Sequence, residues 1–284
     1  MSLEEKRVKT LSEKLSTALA SLAHDVIPKH VHRLRTTVRR IESLVGYARP
    51  DLGRKQEKAL KNLSALRKRA GKVRDLDVQM KLLDAIANTS TRRDRQTLTE
   101  FLKRKRDRQA ARLSAAIAKM RGSRLDDHVE RILEESSQAS AGTEKPAEPL
   151  LQARQELARL TETTVNASTK ARVLHQIRIK IKKIRYLAEL AEKTAERESF
   201  LAELKATQDV LGDWHDWEEL TFTAEKQFDD RVNCPLLVEV RALFAAKQVA
   251  ACAAVGHLLS SRAAHPARKQ PRAAESQRAM AQRA

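Results

Sequence analysis

A chain of 284 residues is long enough to bury a core, and with only 7 Gly and 7 Pro against abundant Ala, Leu, Lys, Arg, Glu and Gln it points to an all-α fold. Its 56 Lys and Arg against 37 Asp and Glu leave a net charge of +19, an excess that repels itself unless it serves a polyanion: nucleic acid, an anionic membrane or a polyphosphorylated partner. Two cysteines, Cys234 and Cys252, exclude a disulfide framework and lack metal-ligand spacing.

The N-terminal MSLEEKRVKT has no apolar signal core, and no stretch is read as approaching the roughly 20 apolar residues that span a bilayer; a soluble cytoplasmic protein without membrane contact is expected. Leu11, Leu15, Leu19 and Leu22 repeat at helical spacing and predict a first helix over 4–23. Pro28 suits the first turn of a second helix, which runs to Ala48 and is ended by Pro50. Asp51 can cap a third, extending to about Ala87. A basic helix over 92–120 is broken at Gly122, and a shorter helical piece, 125–136, follows. The stretch SSQASAGTEKPAEP, residues 136–149, is the clearest boundary in the chain and reads as a linker. Beyond it, helices are expected at 150–167, 171–195, 197–228 and 236–261. Four long helices on each side of the linker are consistent with two four-helix bundles, spanning 1–135 and 150–261. Residues 262–284 hold two prolines and read as a disordered basic tail.

One helical segment occurs twice. Residues 31–44 read VHRLRTTVRRIESL and residues 174–187 read LHQIRIKIKKIRYL, so that His32 matches His175, Arg35 matches Arg178, and Arg39 and Arg40 match Lys182 and Lys183. The match extends downstream: Gly71, Arg74 and Asp75 in AGKVRDLDV correspond to Gly212, His215 and Asp216 in VLGDWHDWE. The offset is 143 residues for the histidines (175 − 32) and 141 for the glycines and aspartates (212 − 71, 216 − 75), a difference that one loop absorbs. A whole helix pair is therefore repeated.

At about 100° per residue, Val31, Leu34, Val38 and Ile41 form a core stripe, with Arg35 and Arg39 beside His32. In the second copy Leu174, Ile177, Ile181 and Ile184 form the stripe, flanked by His175, Arg178, Lys182 and Arg185. Arg40 and Lys183 point to a more exposed side. Each copy thus carries a His–Arg–Arg/Lys ladder at positions 0, +3 and +7. Stacked like charges destabilise an isolated helix by a few tenths of a kcal/mol per pair. A compensating anion is the simplest reason to keep them, and phosphate suits both the planar Arg fork and the mobile Lys charge. Residues 29–74 hold 15 Lys and Arg against 3 acidic residues, and residues 170–185 hold 7 against none.

Aromatic residues make up only 3% of the chain, whereas binders of single-stranded nucleic acid stack bases on rings. Trp214 and Trp217 lie on one helical face and read as core. A ligand of phosphates without bases fits better. For Asp75 and Asp216 two readings stay open: they hold the ladder cations in place, with Arg74 and His215 as the matching polar pair, or they cap and pair locally.

VHRLRTTVRR, GKVRDLDV, LHQIRIKIKKIRYLAEL and LKATQDVLGDWHD, in this order, resemble the CHAD family, the conserved-histidine α-helical domain, over about residues 4–261. The resemblance implies two four-helix bundles related by a pseudo-twofold axis and a basic surface that binds inorganic polyphosphate, with association to polyphosphate granules. It carries ligand roles onto His32, Arg35, Arg39, Arg40, His175, Arg178, Lys182, Lys183 and Arg185. The chain departs from the pattern at His215, where many relatives have Asn, and at two Lys that stand for Arg. No ExExK element of the triphosphatase fused to some members is present, since Glu196-Arg197-Glu198 lacks the lysine.

The expectation is a non-enzymatic polyphosphate-binding protein with no catalytic residue, cofactor or metal, whose possible partners include polyphosphate-metabolising enzymes. The first alternative is nonspecific nucleic-acid binding, which the same charge would serve. A second is a metal-dependent phosphohydrolase using His24-Asp25 or His215-Asp216. The repeat partner of His215 is Arg74, which ligates no metal, and the histidines at 24, 30, 32, 175 and 215 form no i, i+4 pair.

Overall fold

The apolar stripes read from the two repeated segments bury as their spacing dictates. Val31, Leu34, Val38 and Ile41 are wholly inaccessible, and Leu174, Ile177, Ile181 and Ile184 keep at most 4% of their surface. The computed structural model describes residues 3–48, 51–121, 125–141, 148–164, 171–228 and 234–263. Among them the chain is all-α, with nine α-helices and no strand: α1 (Leu3–His24), α2 (Pro28–Ala48), α3 (Arg54–Asp84), α4 (Arg92–Arg121), α5 (Leu125–Ala141), α6 (Pro149–Thr164), α7 (Ala171–Ala188), α8 (Ala195–Phe228) and α9 (Pro235–Ala263), with a 3-10 turn at Thr89–Thr91. Pro50, Gly122, the central part of the expected linker and the expected tail from residue 264 lie outside the described residues.

Several boundaries differ from the sequence reading for local reasons. Gly53, not Asp51, occupies the N-cap of α3, and no side chain caps that end. Residues 136–141 of the expected linker continue α5, anchored where the buried Ser136 hydroxyl donates to the Ile132 carbonyl. The seventh helix stops at Ala188, seven residues short of the expected 195. Its terminal carbonyls are taken from outside the helix: Arg197 donates to Ala188 (3.2 Å) and Glu189 (3.0 Å), and Arg7 donates to Leu190 (2.7 Å). Thr194 then caps α8, accepting from the Arg197 amide. Guanidiniums from outside the helix thus satisfy the carbonyls at its end.

The buried apolar residues gather in three clusters. Helix α5 adds Leu125, Val129, Ile132 and Leu133 to a first apolar cluster with α1, α2, the first half of α3 and the end of α4, giving the N-terminal part five helices. A second cluster joins α6, α7, the first half of α8 and the second half of α9. A third lies between these parts: Leu76 and Leu83 of α3 and Leu98 and Leu102 of α4 meet Trp217, Leu220 and Phe228 of α8 and Leu236 and Val240 of α9. Helix α2 packs on α7 and α3 on α8, so the repeated segments lie against each other.

One stretch, Pro235–Ser260 of α9, is long and apolar enough by length and composition to cross a membrane, contrary to the reading above. Little of the stretch is buried, and its inward side chains (Leu236, Val240, Ala251, Val255 and Leu258) pack into the second and third clusters.

Candidate functional site

Each ladder sits beside its own core stripe, and packing α2 on α7 turns the two ladders toward one another. Helices α3 and α8 also pack together, and Asp75 and Asp216 lie within electrostatic reach of both ladders. The charges are therefore coupled across the repeat. Arg35 experiences Asp75 first among its charged neighbours, and also Asp216 of the other copy. Arg178 experiences Asp216 and also Asp75, together with Arg39 and Arg35. Arg35 approaches Asp75 at 4.0 Å, with 18% of the Arg35 side chain and 52% of the Asp75 side chain exposed. What the helical wheel separates into two strips is one cleft.

Withdrawal from water shapes the ionisation here more than any single neighbour. Burial pushes the Lys182 ammonium down to about 7, and Arg178, Arg39 and Arg35 press it further in the same direction. Burial also brings the Arg178 guanidinium down to about 10, against the pull of Asp216, and lowers Arg35. Asp216 is raised to about 6 by burial, opposed by Arg178 and assisted by Asp75; Asp75 is raised for the same first reason, opposed by Arg35. The cleft thus crowds four ladder cations (Arg35, Arg39, Arg178 and Lys182) around two carboxylates whose pKa values are raised. The half-buried Arg74 adds its charge to the surroundings of Asp75, Asp216 and Arg35. The Nε of Arg178 is buried with no hydrogen-bond partner among the described residues.

The histidines lie along the ladders and differ. His32 is exposed, and its pKa is lowered by partial burial and then by Arg74, Arg35, Arg39 and Arg40. His175 is half-buried and likewise lowered, by burial and then by Arg178 and Lys182. Its ring meets His215 edge-on, centroids 5.3 Å apart. His215 is pushed down to about 3 by burial, then by Arg178 and His175, and its Nδ1 stands 3.5 Å from the Glu218 carboxylate. Ligand-capable atoms of His175, His215 and Glu218 all lie within 4.8 Å of one another. Trp214 and Trp217 are core residues, as their spacing implies.

Two of the residues read as ligands, Arg40 and Arg185, are held by side-chain hydrogen bonds already. Arg40 donates from Nε to Glu189 at 2.9 Å, and Arg185 donates to the other oxygen of the same carboxylate at 2.6 Å. Arg185 also donates to Gln208 (2.9 Å) and lies over the Tyr186 ring (4.6 Å). Lys183 is exposed on α7, as the wheel places it. Glu189, Gln208 and Glu218 were not singled out from the sequence. The Arg185–Glu189 spacing of four and the His215–Glu218 spacing of three hint at pairs; the Arg40–Glu189 and Arg185–Gln208 contacts join segments far apart in the chain. His24 and Asp25 are exposed around the end of α1, where the Asp25 backbone carbonyl contacts His30 Nδ1 at 3.0 Å.

Residues 8–225 match the family model described as the CHAD domain. The chain is similar in fold to the crystal structure of the CHAD domain from the plant Ricinus communis, with a TM-score of 0.60 and 20% identity, covering 92% of this chain and 85% of that one. No curated protein matches. The matched stretch contains both ladders, Arg74 and Asp75 on α3, and His215 and Asp216 on α8, and on that extent this chain belongs to the CHAD domain family.

Proposed function

We propose that the cleft between α2 and α7 binds inorganic polyphosphate, and that the protein is a non-catalytic receptor for it. The observation that carries this reading is the convergence of Arg35, Arg39, Arg178 and Lys182 on one space beside Asp75 and Asp216, four cations against two carboxylates. Removing four cations from water side by side is costly, and a flexible chain of phosphates offsets that cost at every repeat unit. Family membership supports the same reading through the resemblance of the ladder motifs. On this reading the two copies are duplicate halves about a pseudo-twofold axis, α5 is an addition to the first half, and both ladders grip one polymer. The protein resides in the cytoplasm on polyphosphate granules, where polyphosphate-metabolising enzymes are its partners.

Competition at fixed salt tests this. Labelled long-chain polyphosphate bound to the full chain is challenged with duplex DNA, single-stranded RNA and heparin. Polyphosphate is expected to compete best per phosphate. Equal competition by DNA replaces this reading with nonspecific nucleic-acid binding, which the net charge alone would support.

A further inference from the structure

The repeat is not symmetric in its chemistry, and the difference lies at one spot. The position matching His215 in the first copy is Arg74, and the position matching Glu218 is Asp77 (218 − 141). Asp77 is consumed by an ion pair, accepting from Arg106 Nε at 2.9 Å, and Arg106 also donates to the Val26 carbonyl. In the second copy no arginine takes that place. His175 from α7 meets His215 and Glu218 from one face of α8, and this is the one metal-capable trio among the described residues.

We propose that His175, His215 and Glu218 form a binding site for a single divalent transition-metal ion of the Zn2+ type. Two imidazoles and a carboxylate are a borderline-soft donor set that suits Zn2+, Co2+ or Ni2+ and discriminates against Mg2+ and Ca2+, which take oxygen ligands. A tetrahedral ion with bonds of about 2.0–2.1 Å holds its donor atoms about 3.3 Å apart. The ligand atoms of the trio already lie within 4.8 Å of one another, close to that spacing. His215 Nδ1 is buried, and no hydrogen bond from the described residues reaches it. Such an atom is either a cost to the fold or a ligand kept ready. Three protein donors leave a fourth position open. Arg178 and Lys182, whose charges act on both histidines, would draw an anionic group toward it.

The site stands independently of the polyphosphate reading, and its test needs no polyphosphate. The untagged full chain is titrated with Zn2+ by calorimetry, and with Co2+ by its visible absorption, at pH 7.5. Quenching of Trp214, whose ring centroid lies 6.3 Å from that of His215, provides a second readout with Ni2+. One equivalent of Zn2+ is expected, with no competition from millimolar Mg2+. Glu218→Gln and His215→Asn are each expected to weaken binding on the order of tenfold or more, with unchanged helicity. Polyphosphate binding by Glu218→Gln is expected to match the parent, because Glu218 is not among the cleft cations. Absence of a stoichiometric ion overturns the proposal. So does an equivalent retained in both variants, which would place the ion elsewhere, as on Cys234 or Cys252.

Discussion

Arg40 on α2 is bound to Glu189 just beyond α7, its Nε 2.9 Å from the carboxylate, so the first ladder helix is tied directly to the end of the second. Glu189 holds Arg185 with its other oxygen. The carboxylate is largely buried, with 16% of its side chain exposed, and acts as an internal counter-anion for two cations that the sequence offers to a ligand.

Glu189→Ala is therefore expected to move stability and binding in opposite directions. Losing two charge-assisted bonds of a half-buried carboxylate lowers stability by about 1–2 kcal/mol. It also frees Arg40 and Arg185, so polyphosphate affinity rises. Thermal denaturation and a binding isotherm on one preparation check both. A variant that is less stable and also binds more weakly would show that Glu189 serves the cleft by holding its walls.

Charge reversal at the centre of both ladders is the direct test of the cleft. Arg35→Glu with Arg178→Glu places two anions beside Asp75 and Asp216, and is expected to abolish polyphosphate binding. The core stripes one face away are untouched, so helicity by circular dichroism stays at the parental level. Collapse of the helical signal would assign the ladders a structural role.

Salt dependence reports how many cations engage the polymer. Each phosphate contact contributes about 0.7–0.9 to the slope of log K against log salt for a linear polyanion. Arg39→Ala, which removes one half-buried cation from the cleft, is expected to reduce that slope by about one contact. Lys183→Ala, on the exposed side of α7, is expected to change it less. Equal losses would mean that the polymer follows the outer face and not the cleft.

The pattern that positions these residues was legible in the chain, and their meeting was not. Period 3.6 alone assigns Val31, Leu34, Val38 and Ile41 to the core and Arg35 and Arg39 to its flank, and burial agrees. A helical wheel places a residue about its own axis and says nothing of the helix opposite. Convergence of Arg35 with Asp216, or of Arg178 with Asp75, depends on α2 meeting α7 and α3 meeting α8. The end of α7 is hidden for a related reason: Arg7, remote in sequence, and Arg197 of the next helix take the carbonyls there. The search for histidine pairs at i, i+4 likewise passes over a trio whose members come from two helices.

The ionisation of Lys182 and Asp216 gives the cleft a pH dependence whose sign can be worked out. Lys182 titrates at about 7 in the free protein, and a bound polyanion raises that value by favouring the ammonium. Below pH 7 Lys182 is charged before the ligand arrives and contributes fully; above pH 7 a proton must be taken up, and affinity falls. Asp216, at about 6, is neutral below that pH and repels the polymer above it, so its effect runs in the same direction. The neighbouring His215, pushed down to about 3, stays neutral throughout. Stability of the free protein follows a different course. The raised Asp216 destabilises the fold progressively from about pH 4 to 6, as it is forced to ionise. The lowered Lys182 is a cost below pH 7 that is relieved as pH rises toward the unfolded value near 10.5. These two contributions leave the cleft least favourable to the fold between pH 6 and 7, where both groups are charged, and most in need of a ligand there. Binding isotherms at fixed ionic strength from pH 5.5 to 8.5 are expected to show affinity declining with pH. Lys182→Arg, which stays charged, flattens the upper part of that decline, and Asp216→Asn flattens the lower. A parental affinity that does not change across the range would remove both groups from the binding site.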